Sequence, residues 1–290
     1  MMRRVPLIIA AVMSIPLLFS WSLLTMRAAS KASPQRPVIE ISARVLQQYT
    51  QFLRENDLQK EEANIRRYED PDDFPYYLTA RADDRYVDDP GGIVLTYAAV
   101  DCPVTLPAGR QFRFGHVGPI LDDIEAIFPL EPMSWDDMQA MVTELIGRFD
   151  GAGWKRVPAG PQGFSVTDGI TAADFLRVKS GTKWTRVGYW RPCDSPEVLA
   201  YAEVRHYDSS SPGSFMPPAA LSQPLPDEAP DRFLMRVTFR ADDPVRDELR
   251  ELRDARRIEV TGHPDREIPV SIWFDDPDWR PDDWNGKFVK

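Results

Sequence analysis

The chain has 290 residues, of which 43% are hydrophobic and 28% are charged, and this composition predicts a folded protein with a sizeable core. Its formal net charge of -10 and its pI of about 4.9 argue against nucleic acid and anionic lipid as surface-wide partners, because such a protein repels phosphate. The same charge permits a basic partner.

The first predicted element is a hydrophobic segment at the N-terminus. Arg3 and Arg4 precede an uncharged stretch over 5–26, which is long enough to cross a bilayer as one helix. The small residues at 28–30 resemble a cleavage site, so a removed signal peptide is the alternative to a retained anchor. We therefore expect a single-pass protein of the bacterial inner membrane, with its main domain in the periplasm.

The predicted fold class is α+β, with antiparallel sheets packed by amphipathic helices that follow one N-terminal transmembrane or signal helix. Shifts in composition divide the chain into five regions. These are a signal anchor or signal peptide over 1–27, a linker over 28–37, an α+β domain over 38–208, a proline- and serine-rich linker or loop over 209–230, and a C-terminal αβ subdomain with an acidic aromatic tail over 231–290.

The first half of the α+β domain is predicted from the spacing of its apolar residues. A helix is expected over most of 38–67, where Val45, Tyr49 and Phe52 fall on one face. One or two helical turns are expected over 121–128. Strands are predicted over 76–81, 92–100 and 111–116.

An amphipathic helix that begins after Ser134 is the best-marked element. Ser134 is placed to cap the helix, and Asp136 and Asp137 put negative charge at the positive end of its dipole. Gly151 and Gly153 supply the residue with positive φ that ends such a helix. One apolar face, expected to pack on a sheet, is formed by Met138, Met141, Val142, Leu145, Ile146 and Phe149.

The remaining elements predict an antiparallel meander and then a shorter αβ unit. Ser180 and Gly181 are expected to form a hairpin turn, and Asp243 and Pro244 to begin a helix. Strands are predicted over 163–167, 174–179, 183–191, 198–207, 233–240, 256–260 and 268–274.

The chain has two cysteines, Cys102 and Cys193. An even number in an exported chain predicts a disulfide between them. Two separately buried thiols are the alternative, since free cysteine is among the most buried residue types.

The sequence contains no recognisable motif for catalysis or for metal binding. His116, His206 and His263 do not stand at metal-ligand spacing, and there is neither a phosphate-binding loop nor a calcium-binding loop. We therefore predict no cofactor, no metal and no catalytic residue. Aspartates recur in pairs, so a hydrolase that uses two facing carboxylates stays open as an alternative.

The C-terminal tail is the predicted partner-binding site. Its aromatic residues alternate with acids and prolines, a composition that supplies apolar anchors within a negative rim. In the alternative, the tryptophans dock on their own domain. The predicted contact residues are Trp273, Asp275, Asp276, Asp278, Trp279, Asp282, Asp283 and Trp284.

These predictions indicate a non-catalytic, membrane-anchored binding protein of the bacterial envelope with a basic protein partner. The layout resembles that of membrane-tethered immunity proteins, which neutralise exported toxins. The resemblance is architectural, covers no diagnostic motif and assigns no residue. The alternatives are an envelope hydrolase with a carboxylate or histidine site, and an accessory subunit of an envelope complex that contacts its partner through 38–67.

Overall fold

The computed structural model describes residues 38–60, 72, 75–80, 91–157, 169–181, 183–207 and 231–289. The predicted N-terminal segment and linker, the strand over 163–167 and the loop over 209–230 lie outside these residues. Within the described part of the chain, no helix is both long and apolar enough to span a bilayer.

The described residues form an α+β fold with two sheets, five α-helices and a 3₁₀ helix over Ala172–Asp174. The strands are β1 (Val38–Ala43), β2 (Tyr76–Thr79), β3 (Gly92–Tyr97), β4 (Val104–Thr105), β5 (Gln111–Val117), β6 (Ile120–Met133), β7 (Lys155–Arg156), β8 (Thr185–Arg191), β9 (Val198–His206) and β10 (Phe233–Ala241). The helices are α1 (Tyr49–Glu55), α2 (Trp135–Gly151), α3 (Phe175–Ser180), α4 (Asp243–Thr261) and α5 (Ser271–Asp275).

Seven strands form an antiparallel sheet in the order β2-β5-β6-β10-β9-β8-β7, and a small mixed sheet has the order β1-β3-β4. In the small sheet β1 runs parallel to β3. In the large sheet β10 lies between β6 and β9, so strands from both sides of the predicted boundary over 209–230 share one sheet.

One face of the seven-strand sheet is apolar, and the main core lies against it. The small sheet packs there through Tyr97, whose ring is 4.5 Å from that of Phe239. Helix α1 places Phe52 4.5 Å from Phe114, and α2 contributes Phe149. The buried residues of this face include Phe112, Phe114, Ile124, Ala126, Phe128, Ala200, Ala202, Val204, Met235, Val237 and Phe239.

The central helix α2 confirms its prediction. Ser134 Oγ accepts the backbone N–H of Asp137 at 3.2 Å, and Gly153 has a φ of 84° just beyond the helix. The predicted apolar face is buried at Met138, Val142, Leu145, Ile146 and Phe149. This apolar face therefore packs on the sheet, as the helical spacing of its residues predicted.

The disulfide between Cys102 and Cys193 is also confirmed. The two Cα atoms are 6.2 Å apart, and Trp154 donates its indole N–H to the carbonyl of Cys102 at 2.8 Å. Cys102 lies between β3 and β4, and Cys193 follows β8. The bond therefore joins the small sheet to the large one.

The predicted helix over 38–67 is wrong at its start. Val38–Ala43 is a strand, because its β-branched residues pair with β3, and the first helix of this segment is Tyr49–Glu55. Residues 59 and 60 are helical again, and 61–67 lie outside the described residues. Leu46, with a φ of 71°, separates the two elements. Tyr49 and Phe52 are fully buried, so in the described part of 38–67 the predicted helix face belongs to the core.

The predicted helical turns over 121–128 are wrong as well. Leu121, Ile124 and Phe128 fit helical spacing, but the segment lies inside β6. This strand is paired on both sides, with β5 and with β10. Pairing with distant strands overrides the local pattern.

Three further strand predictions are replaced by helix. Residues 174–179 belong largely to α3, which a capping box between Thr171 and Asp174 precedes, so Ser180 and Gly181 form no hairpin. Residues 256–260 continue α4, which ends at Gly262 with a φ of 78°. Residues 268–274 lead into the short helix α5. Asp242, and not Asp243, occupies the N-cap position of α4.

Candidate functional site

The C-terminal tail places its predicted contact residues in two environments. Trp273 is fully buried, whereas Trp279 and Trp284 are partly buried and pack against the core. The aspartates of the tail are exposed, and we call Asp275, Asp276, Asp278, Asp282 and Asp283 the acidic ridge. The tryptophans therefore dock on their own domain, and the prediction that the ridge contacts a partner stays a prediction.

Inward contacts hold the ridge in place. The ring of Trp279 lies 6.0 Å from that of Trp273, and the Arg256 guanidinium lies 4.6 Å from the ring centroid of Trp279. Gln48 donates to Asp278 at 2.5 Å, which ties the ridge to the segment that precedes α1. The Glu248 carboxylate of α4 accepts backbone N–H groups from residues 287–289 at 2.7 to 3.2 Å.

A second cluster of charged residues lies on the large sheet, opposite its apolar face. Alternation along the strands and the cross-strand register place these side chains together. We call this surface the polar face. It includes Tyr77, Thr79, Gln111, Arg113, Asp123, Glu125, Ile127, Arg186, Tyr189, Leu199, Tyr201, Glu203, Arg205, Leu234, Arg236, Thr238 and Arg240.

A chain of ion pairs crosses the polar face from β8 to β6. Glu203 bridges two arginines, at 2.6 Å from Arg186 and 2.5 Å from Arg236. Arg236 also reaches Glu125 at 3.1 Å. Beside this chain, Arg113 pairs with Asp123 at 2.6 Å. The buried carboxylates are therefore paired, as the cost of burying a charge requires.

Burial changes the acidity of the carboxylates on this face. It raises the pKa of Asp123 to about 6, and the neighbouring Asp122 adds to the rise while Arg113 opposes it. It also raises the pKa of Glu125, against the opposing effects of Arg236 and Arg113. Asp123 thus titrates close to the pH range of living cells.

The stability of the protein is expected to depend on Asp123 between about pH 4.5 and 7.5. Because the pKa of Asp123 is higher in the folded state, its carboxylate binds a proton more tightly there than in the unfolded state. Protonation of Asp123 therefore stabilises the fold by about 2 kcal/mol over that range. In urea titrations, the unfolding free energy of the wild type should rise by this amount relative to Asp123→Asn as the pH falls. Asp265→Asn, at a side chain 89% exposed, is the control. The prediction would be contradicted if the difference in unfolding free energy between the wild type and Asp123→Asn did not change with pH.

The three histidines take part in local contacts of different kinds. His116 is buried, stacks on Tyr49 at 4.3 Å, and lies with Nδ1 2.9 Å from the carbonyl of Gly118. His206 contacts Asp231 at 3.0 Å, and Lys179 reaches the same carboxylate at 2.6 Å. His263 is largely exposed. The contacts of Asp231 with His206 and Lys179 join α3 to the end of β9 and the start of β10. The contacts of His116 join the β5–β6 turn to α1.

Within the described residues, one group of possible metal ligands lies close together, formed by Cys102, Cys193 and Asp194. Its two sulfurs are bonded to each other in the disulfide, so they offer no thiolate to a metal.

Comparison of the chain with protein-family models, with curated proteins and with solved structures gave no match.

Sequence reasoning missed the polar face as a unit. Its signal was present as polar residues at every second position, Glu203 and Arg205 in one strand and Arg236, Thr238 and Arg240 in another. That pattern predicts a polar side for each strand separately. Which strands lie side by side depends on pairing between segments far apart in sequence.

Proposed function

We propose that the chain is a binding protein without catalytic activity, anchored in the bacterial inner membrane with its main domain in the periplasm, and that the acidic ridge contacts a basic protein. One observation carries the proposal: the ridge is exposed and also fixed by inward contacts. Residues 275–283 contain five aspartates and one arginine, a formal charge of -4. Fixed charges lose little freedom on binding, and opposite charges accelerate encounter.

Two features support the proposed location. The uncharged segment over 5–26 has the length of a membrane span and follows Arg3 and Arg4. The Cys102–Cys193 bond belongs to a class that persists in oxidising compartments such as the periplasm. Together with the architectural resemblance, these features favour an immunity-type protein whose partner is a secreted toxin with a basic surface.

The test is co-purification of the full chain, extracted from its own cells in mild detergent at low salt. We expect the wild type to retain a basic periplasmic protein that salt releases, and Asp282→Lys with Asp283→Lys to lose it. Within the described part of the chain neither aspartate has an ion-pair partner, so the double change should leave the fold intact.

Asp265→Lys with Glu267→Lys is the matched control, because it reverses two exposed charges outside the ridge. This variant should retain the partner. Equal retention by the ridge variant and the control, or recovery of the protein in the cytosolic fraction, would refute the proposal.

A further inference from the structure

Three arginines of the polar face are more exposed than the carboxylates with which they pair. Side-chain exposure is 29% for Arg186 against 4% for Glu203, and 26% for Arg113 against 14% for Asp123. For Arg236 it is 16%, against 7% for Glu125. The five arginines and three carboxylates named for the polar face sum to a formal charge of +2, on a chain whose net charge is -10. This sum does not include Asp243, which lies 3.7 Å from Arg240. Guanidinium groups above buried acids attract an anionic partner.

Aromatic rings fix these guanidinium groups. Arg186 lies 3.9 Å from the ring centroid of Tyr201, and Arg236 lies 4.6 Å from that of Trp184. Tyr77, on the edge strand β2, is 41% exposed. Arginine, tyrosine and tryptophan are the residues that dominate the binding energy of protein interfaces. The composition therefore favours a protein partner over a lipid surface.

The spacing of the arginines restricts the shape of that partner. Arg186 and Arg236 lie on β8 and β10, two strands apart, which corresponds to about 10 Å. Arg113 lies on β5, two strands beyond Arg236. It is also displaced by two residues along the strand direction, so its position is about 12 Å from that of Arg236. The second step is inclined to the first, so the three positions span roughly 20 Å from end to end.

An α-helix matches this spacing. Residues seven apart on a helix are about 10.5 Å apart along the axis and remain on one side, so two such steps cover about 21 Å. An extended strand presents one face at steps of about 6.7 Å, which does not match. We infer that the polar face binds a helix of an acidic protein, which presents carboxylates about seven residues apart to Arg186, Arg236 and Arg113. This inference does not depend on the acidic ridge.

The test uses two synthetic helical peptides with the full-length protein in mild detergent, at low salt, with fluorescence anisotropy as the readout. Both peptides are rich in alanine and glutamine; one carries three glutamates roughly seven residues apart, and the other carries them roughly five apart, around the helix. We expect the second peptide to bind about tenfold more weakly. Arg186→Gln should weaken the binding of the first peptide by a similar factor, about tenfold for the loss of one charged contact.

Arg186→Gln is suitable because Glu203 keeps its contact with Arg236, so no buried carboxylate is left unpaired. Arg148→Gln is the matched control; Arg148 is 37% exposed on α2, the helix that packs on the apolar face, and this variant should bind like the wild type. The ridge variant with Asp282→Lys and Asp283→Lys should also bind normally, which separates this surface from the ridge.

Three results would overturn the inference. They are equal binding of the two peptides, an Arg186→Gln variant that keeps wild-type affinity, and Arg186-dependent binding to vesicles of anionic lipid in place of the peptide. The thermal unfolding midpoint of Arg186→Gln, compared with that of Arg148→Gln, shows whether a loss of binding comes from unfolding.

Discussion

Removal of the disulfide is expected to lower the free energy of unfolding by about 4–5 kcal/mol, because it frees a long loop in the unfolded chain. Cys102 and Cys193 are 91 residues apart in sequence, and the bond joins the two sheets. For a domain of this size the loss corresponds to a fall of roughly 10 °C or more in the unfolding midpoint. Urea denaturation of Cys102→Ala with Cys193→Ala measures it.

Reduction of the wild type provides the control for side-chain volume. It breaks the same covalent bond without deleting an atom from the buried Cys102 side chain, so most of the loss should appear in the reduced wild type too. The double alanine variant should be insensitive to reductant. Equal stability of the oxidised and reduced wild type would show that the crosslink contributes nothing.

The elements predicted correctly are those whose signal is local. Helix α2 combines a capping serine, acids in its first turn and an apolar residue every three or four positions, and all of these lie within Ser134–Phe149. Strands β5, β8, β9 and β10 have regular alternation bounded by turn residues. For these segments the local preferences and the tertiary contacts agree.

The errors fall where a short segment satisfies two patterns at once. Residues 121–128 carry apolar side chains at both helical and strand spacing, and only the two neighbouring strands decide between them. For α3 and α4 a local signal existed. The capping box from Thr171 to Asp174 and the glycine at 262 mark a helix start and a helix end that the strand predictions ignored.

The candidate surfaces divide in the same way. The acidic ridge was visible in the sequence because its aspartates are neighbours in the chain. The polar face was not, since Arg113, Glu125, Glu203 and Arg236 come from four strands that the fold brings together. Pairing of distant strands is a property of the whole core, so a single local pattern does not contain it.

A second large effect is expected at Arg257, which holds a buried carboxylate. Asp72 has no exposed surface, and it contacts Arg257 at 2.8 Å and the Trp273 indole N–H at 3.3 Å. The carbonyl of Asp72 also accepts the N–H of Gly118 at 3.2 Å. These contacts join α4, α5 and the β5–β6 turn to the segment before β2. Burial raises the pKa of Asp72, and Arg257 opposes that rise.

Arg257→Met should lower the free energy of unfolding by about 4 kcal/mol near neutral pH, because it leaves the Asp72 carboxylate buried without its cation. Without Arg257 the pKa of Asp72 rises further, so the folded state takes up a proton that the unfolded state does not bind. The deficit should therefore shrink as the pH falls toward about 5, in urea titrations compared with the wild type at each pH.

Asp72→Asn combined with Arg257→Met distinguishes the unpaired charge from lost packing. Both variants lose the same guanidinium, but only the single variant keeps a carboxylate at position 72, so the double variant should be the more stable of the two at neutral pH. It should also lack the dependence on pH. If the single and double variants are equally unstable, and the deficit of Arg257→Met does not change with pH, then Arg257 acts by filling space between α4 and α5, and the charge of Asp72 is not what it stabilises.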